Sequence, residues 1–317
     1  MPEIPTISLL VPCFNAAAYL SDFIENMSRQ TRPFDEVIFY DDASTDSTAE
    51  LLRQQNFGRI IYGKFNQGPS IARNILLRES TGQLIHFHDV DDWLEPTFLE
   101  QTLQAVSDEW DAVITNIRVI DRETGKTIQI HDYSGLIEST DPTEFFLTHC
   151  CYPINGVYRR RALEKIGGFR ESLSRDEDPD LHIRLAHSGA RIRSLPLPLA
   201  INRFGLGTYS SNSYVTCWRE HLKALNYYVK ELPEKYYSIL RADSARMVSL
   251  CAACGDLPLA HNYLDFCESL GGEKELVIVA SPLMKLLIQV LGYRKALNLR
   301  FGFLGRKIRQ IWPGRLG

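Results

Sequence analysis

Glycine is missing where one large class of nucleotide-binding enzymes needs it. The stretch after the first apolar segment reads VPCFNAAAYL, from Val11 to Leu20. A dinucleotide-dependent oxidoreductase requires a glycine-rich turn there to admit a pyrophosphate, so that class is excluded. The start of the chain, MPEIPTISLLVPCFN, lacks a basic segment followed by a long apolar run. No secretory signal is therefore expected, and a reducing, cytoplasmic setting with free thiols is predicted for the seven cysteines. Cys251 and Cys254 have the spacing of a metal or redox pair but no second pair or histidine at a suitable distance, which favours buried helical thiols. Repeats and low-complexity linkers are absent. Acidic residues are missing from 283–317, a stretch holding eight Lys or Arg. The other 282 residues then carry 27 basic against 39 acidic side chains, a weakly acidic body that argues against a nucleic-acid partner.

What is present suits a globular protein of one large or two modest domains: 317 residues, 44% of them hydrophobic. ISLLV (7–11), EVIFY (36–40), RIIYG and LIHFH (84–88) read as short, nearly continuous apolar strands. Between them AYLSDFIENMSRQ, STAELLRQQ and PSIARNILLRES read as amphipathic helices. The alternation predicts an α/β fold, a mostly parallel sheet flanked by helices. Past residue 110, DAVITNIRVI and KTIQI are predicted strands joined by the turn DRETG, and LAINRF follows. From about 214 the pattern turns helical. The expected division is an α/β catalytic domain over 1–212 and a helical C-terminal region over 213–317.

In such sheets ligands bind beyond the carboxyl ends of the strands, and polar residues gather there in this sequence. Strand one runs into Pro12, Phe14 and Asn15, strand two into DDASTD (41–46), and strand four into DVDD (89–92). Asp89 and Asp91, one residue apart, supply hard oxygen ligands suited to Mg²⁺ or Mn²⁺, whose shell water and substrate phosphates would complete. Any exposed acidic loop has the same composition. Asp41 and Asp42 are either turn formers ahead of a helix capped by Ser44 or Thr45, or acceptors for a nucleobase N–H. In DEDPDLHIRLAHSG (176–189) Asp178 suits the helix N-cap with Pro179 at the first helical position; a carboxylate held there is also a competent general base for a hydroxyl. His86 and His88 alternate along strand four and face one side of the sheet, which favours packing over metal ligation.

Taken together and in this order, ISLLVPCFNAAAYL, EVIFYDDASTDST, GPSIARNILLRESTGQLIHFHDVDDWLEP and GVYRRRALEKIGGFRESLSRDEDPDLHIRLAHSG resemble family-2 nucleotide-sugar glycosyltransferases of the GT-A fold. The resemblance runs from residue 6 to about 205. It implies inverting transfer of a sugar from a nucleoside diphosphate, usually UDP, to a hydroxyl of a glycan or lipid-linked acceptor. It also implies roles: Pro12, Phe14 and Asn15 lining the nucleotide pocket, Asp42 meeting the base with Asp41 beside it, and Arg73 near the base or phosphates. Asp89 would approach the ribose or metal, Asp91 would ligate Mn²⁺ or Mg²⁺, and Asp178 would be the base.

Two departures stand out. Family members often follow the last core strand with Arg, one residue, then His; here Gly205 stands two residues after Arg203. Ala43 replaces the glycine common after the second aspartate, which is expected to forbid a left-handed backbone there. A signalling receiver domain would leave the D-x-D and Glu-Asp segments idle. A non-catalytic nucleotide-sugar-binding or scaffold protein would be expected to lose the base or a metal ligand, and this chain keeps Asp89, Asp91 and Asp178. Leu283, Leu286, Leu287, Val290 and Leu291 recur at helical spacing after Ser281 and Pro282. That run is broken by Lys285 and is shorter than the ~20 residues a bilayer demands. Arg294, Lys295, Arg300, Arg306, Lys307, Arg309 and Arg315 are interleaved with Phe301, Phe303, Leu304, Ile308 and Trp312. The mixture predicts peripheral docking on the anionic, cytoplasmic face of a membrane, against the plainer reading of a helix packed on the catalytic domain.

Overall fold

A computed structural model of the chain describes residues 5–205, 214–272, 274, 276 and 282–299. The chain divides into two compact units, Met1–Leu206 and Gly207–Gly317. In the first, β1 (Ile7–Cys13), α1 (Leu20–Ser28), β2 (Glu36–Asp41), α2 (Thr48–Gln54), β3 (Arg59–Tyr62), α3 (Pro69–Glu79) and β4 (Leu84–Phe87) alternate as the apolar runs predict. There follow β5 (Trp93–Leu94), α4 (Phe98–Ala105), β6 (Ala112–Asp121), β7 (Thr127–His131), α5 (Pro142–Thr148), β8 (Gly156–Arg159), α6 (Arg160–Lys165), α7 (Glu177–His187) and β9 (Ile192–Phe204).

Among the described residues one sheet holds every strand, in the order β3-β2-β1-β4-β8-β6-β9-β5 with β7 paired to β6. β3, β2, β1 and β4 are parallel neighbours. Ile7, Leu9, Leu10 and Val11 of β1 and Leu84, Ile85 and Phe87 of β4 are fully buried, which is why these runs carry no polar face. From β8 onward the sheet is mixed: β8 runs antiparallel to β4 and β6, β7 to β6 and β5 to β9, while β6 and β9 are parallel. Apolar runs report burial; direction is set by connections, and β6 and β7, joined by a short turn, pair antiparallel. After β1 the chain steps outward to β2 and β3, then returns to the other flank of β1 as β4. That reversal is a topological switch point. Phe14 and Asn15 leave β1 there, and DVDD (89–92) follows β4.

Helix α7 begins earlier than the Asp178 cap implies. Asp176, at φ +66°, is the N-cap, and Glu177, Asp178 and Asp180 stand in the first turn. Pro179 is tolerated inside that turn because the first four N–H groups of a helix have no intrahelical partner. The acidic first turn suits the positive end of the helix dipole.

The second unit contains α8 (Tyr214–Glu231), α9 (Tyr237–Ala253), α10 (Leu257–Ser269) and α11 (Pro282–Leu291). α9 packs on α10, and Asp256 caps α10 by accepting from Leu259 N–H. Cys251 is buried in α9, and no disulfide links the seven cysteines, all of which lie among the described residues. Among the described residues no helix is long and apolar enough to cross a membrane. The tail's aromatic and basic stretch from Arg300 on lies outside the described residues.

Candidate active site

The loops after β1 and β2 are built as one piece. Asn15, at φ +50°, donates its N–H to Ser44 Oγ (2.9 Å) and accepts at Oδ1 from Thr45 N–H (2.8 Å). Ala16 N–H donates to Thr48 Oγ1 at 2.7 Å, so α2 begins against the same loop. The Asn15 amide is thus a clamp between loops, while Phe14 beside it is 45% exposed and Pro12 is half-buried. Asp41 is buried and accepts from Ser44 N–H at 3.1 Å. That Asx turn carries Ala43 through φ +59°, so the expectation that alanine forbids a left-handed backbone there is corrected: loop hydrogen bonds hold it against a cost of ~1–2 kcal/mol. Asp42, also buried, accepts from Gln67 N–H (2.9 Å) and Gly68 N–H (2.8 Å). It anchors the turn that starts α3. Burial pushes its pKa up against the pull of those two amides. An ionised carboxylate has about four acceptor sites, which leaves room for a further N–H.

Helix α3 turns a polar face inward: Ser70, Arg73 and Asn74 are buried with Ala72, Leu76 and Leu77. Ser70 Oγ donates to Leu173 O at 2.7 Å. Asn74 Nδ2 donates to Phe169 O (2.9 Å) and Asn74 Oδ1 accepts from Phe169 N–H (2.8 Å). Gly168, at φ +68°, lies so close that a Cβ would sit 2.4 Å from Asn74 Oδ1. These bonds fix the loop that delivers α7. Arg73 is the centre of the site. Its Nη2 donates to Asp89 Oδ1 (2.8 Å), and its Nη1 to Glu177 Oε1 (2.9 Å) and Asp178 Oδ1 (3.1 Å), while the guanidinium lies over the Phe169 ring. Three carboxylates surround one cation. Burial, helped by Glu177 and Asp89, pushes the Asp178 pKa well up although Arg73 pulls it down. Among the described residues no hydrogen bond reaches Asp178 Oδ2.

On the D-x-D loop, Asp91 Oδ2 accepts from Arg122 Nη2 at 2.9 Å. Burial and the neighbouring Asp89 charge raise its pKa, opposed by Arg122. Asp92, the third carboxylate, is buried and accepts from Arg203 N–H (2.8 Å) and Asn202 Nδ2 (3.0 Å), which ties the loop to β9. Asp89 and Asp91 are about one-third exposed and each keeps one oxygen outside these bonds. Among the described residues no three His, Cys, Asp or Glu side chains gather as a ligand set. Mg²⁺ or Mn²⁺ needs none, since one or two carboxylates with waters and substrate phosphates suffice; the two free oxygens fit such an ion. His86 and His88 are fully buried. His86 Nδ1–H donates to Gly156 O (2.8 Å) and His88 Nε2–H to Asp92 O (3.1 Å). Burial lowers their pKa values to about 3 and about 4, which makes them neutral core groups.

With this geometry, residues 8–167 match Glycosyl transferase family 2. The chain belongs to that family. A chondroitin synthase of Escherichia coli is 30% identical over 194 residues, 60% of this chain and 28% of that protein. The succinoglycan biosynthesis protein ExoU of Rhizobium meliloti is 30% identical over 174 residues, half of each chain. The chain thus spans half or less of the length of these relatives. S. aureus TarS 1–349 in complex with UDP-GlcNAc superposes with a TM-score of 0.70 at 20% identity, covering 96% of this chain and 92% of that one. The mannosyltransferase PcManGT from Pyrobaculum calidifontis, in complex with GDP-Man and Mn²⁺, gives 0.60 at 18% identity, covering 98% and 88%. At such identity the likeness shows the fold, the GT-A fold that the sequence resemblance implies.

In this family-2 chain several groups of the site escape sequence reading. Tyr158 and His182 are buried. His182 Nδ1–H donates to Asp178 O (2.7 Å) and its Nε2 accepts from Tyr158 O–H (2.7 Å), so β8 fixes the turn carrying Asp178. Asp178 and His182 are four apart on one helix, and that spacing was the available signal. Arg122 had none: it sits in a turn that reads only as polar.

Proposed function

We propose that this chain is a glycosyltransferase that moves a sugar from a nucleoside diphosphate, a UDP-sugar, to a hydroxyl of a glycan or lipid-linked acceptor during polysaccharide assembly. The reaction is a single displacement with inversion at the anomeric carbon. The observation that carries this is the cluster on Arg73, which joins Asp89 of the D-x-D loop to Asp178 of α7. One guanidinium therefore holds a donor-side carboxylate and a candidate base in one geometry. Asp178 Oδ2 takes the proton of the acceptor hydroxyl, the hydroxyl oxygen bonds to the anomeric carbon, and the bond to the diphosphate breaks with its electron pair leaving on the phosphate oxygen. The raised pKa of Asp178 makes it a stronger base than an ordinary carboxylate. Asp89 and Asp91 would hold Mn²⁺ or Mg²⁺ through their free oxygens, and such an ion neutralises charge on the departing diphosphate. The complexes of TarS with UDP-GlcNAc and of PcManGT with GDP-Man and Mn²⁺ support a nucleotide-sugar donor and a metal. Relatives in chondroitin and succinoglycan synthesis support a polysaccharide setting. The Pro12, Phe14 and Asp42 rim is assigned to the nucleotide.

Asp178→Asn tests the reading. Transfer should drop by ~10²–10⁴-fold, the usual worth of a general base, with nucleotide affinity held; a collapse of affinity would make Asp178 structural. A nucleotide-sugar screen across UDP-, GDP- and dTDP-sugars identifies the donor. In EDTA, without divalent ions, turnover should be lost, and full activity there would remove the metal from the scheme. A non-catalytic sugar-nucleotide-binding role would show as donor binding with no transfer or hydrolysis across that screen.

A further inference from the structure

Gly205 stands where the resemblance leads one to expect a histidine, and the structure shows what fills the space. A Cβ on Gly205 would lie 3.2 Å from Arg122 Cβ, 3.4 Å from its Cδ and 3.6 Å from its Nε. Arg122 directly follows β6; its N–H donates to Phe204 O at 2.8 Å, extending the β6–β9 pairing that sets Asp121 opposite Phe204. The side chain then runs across the backbone of 205, lies over the Tyr19 ring at 4.6 Å and reaches the D-x-D loop. Nη2 donates to Asp91 Oδ2 (2.9 Å) and Arg203 O (3.1 Å). Among the described residues, Nε is buried without a partner and Nη1 makes no hydrogen bond. A guanidinium of 16% exposure, with unclaimed donors beside a candidate metal ligand, has the capacity of an oxyanion site.

We propose that Arg122 binds the donor diphosphate: its guanidinium, admitted by the bare backbone of Gly205, orients Asp91 and offers its unclaimed donors to phosphate oxygens. The inference rests on the donor-site reading above. It assigns to the β6–β7 turn a fixed positive charge that the segment after β9 does not supply. Unlike a metal, this charge is part of the chain and persists in chelator.

Calorimetric binding of UDP and of uridine, with Mn²⁺ and in EDTA, tests it. Arg122→Ala should lose about 10- to 100-fold in UDP affinity, as expected for charge-assisted hydrogen bonds, with uridine affinity changed less than about twofold. The loss should persist in EDTA. Arg122→Lys, keeping charge without the fork, should recover part of it. Gly205→Leu, with Arg122 intact but displaced, should reproduce the loss; where that variant melts early, the two Arg122 variants decide. Equal losses for UDP and uridine, or none for either, would overturn the proposal and leave Arg122 as a support for Asp91. A wild type that binds GDP or dTDP instead of UDP carries the same series on that nucleotide and its nucleoside. One that binds none of the three removes the donor-site reading and this inference with it.

Discussion

Asp178 is held by one hydrogen bond from a cation that it shares with Asp89 and Glu177. Burial, Glu177 and Asp89 together outweigh that cation, so its folded-state pKa is raised. As a base it must be ionised, so kcat/KM should fall as pH drops through the raised pKa, with an acid limb above the ordinary carboxylate range; a profile flat down to the usual range would contradict the assignment. For stability the same shift acts the other way. The folded chain binds this proton more tightly than the unfolded one, so the group's stabilising contribution is complete below the unfolded pKa and is lost as pH rises through the folded pKa. Asp178→Asn should therefore melt no lower than wild type at neutral pH, while Asn Oδ1 keeps a bond to Arg73. Asp178 and Arg73 were both legible through the resemblance; their pairing was not, because ion pairing across more than a hundred residues leaves no local pattern.

At the scale of elements, the connection from β2 to α2 shows how a loop overrides a residue's preference. Asn15, Asp41, Ser44 and Thr45 bond one another across it, and these bonds demand φ +59° of Ala43. Ala43→Gly should stabilise the first unit by up to ~1 kcal/mol, since relief of left-handed strain exceeds the entropy glycine adds to the unfolded chain. Denaturant unfolding measures this, and a destabilised variant would show that the strain is not there. The strands and helices of the first half were legible because apolar runs and helical periods report burial. The inward polar face of α3 was not. Arg73 was reached only through the resemblance, and Ser70 and Asn74 carry no signal in the periodicity, whereas each is buried against the loop or helix start it holds. Helix α7 was legible in its body and misplaced at its cap, since Asp176 and Asp178 are chemically equal candidates and only backbone geometry chooses between them.

For the molecule as a whole, charge is divided along the chain: an acidic body, and a terminal stretch with eight bases and no acid. The structure narrows what that stretch could do. In the second unit Met284, Ala296 and Leu297 are buried, and Arg294 pairs with Asp265 of α10. Met284 of α11 is thereby taken up in packing, and Arg294 is paired within the second unit. Leu291 and Leu299 are exposed, and five of the eight bases, Arg300, Arg306, Lys307, Arg309 and Arg315, lie beyond residue 299. Membrane docking is therefore proposed for the end of the tail rather than for α11. Each basic residue near an anionic surface is worth about 1 kcal/mol, and five with interleaved aromatics would hold the protein beside a lipid-linked acceptor. The full chain should co-sediment with phosphatidylserine vesicles and be released by high salt, because the attraction is screened. A chain ending at residue 299 should lose sedimentation and keep donor hydrolysis; truncation at 280 also removes α11 with its buried Met284, which makes the later cut the sharper test. Replacing the five bases by glutamine should match the later cut. Sedimentation that survives both changes, or that the full chain never shows, would leave the basic tail without a membrane role.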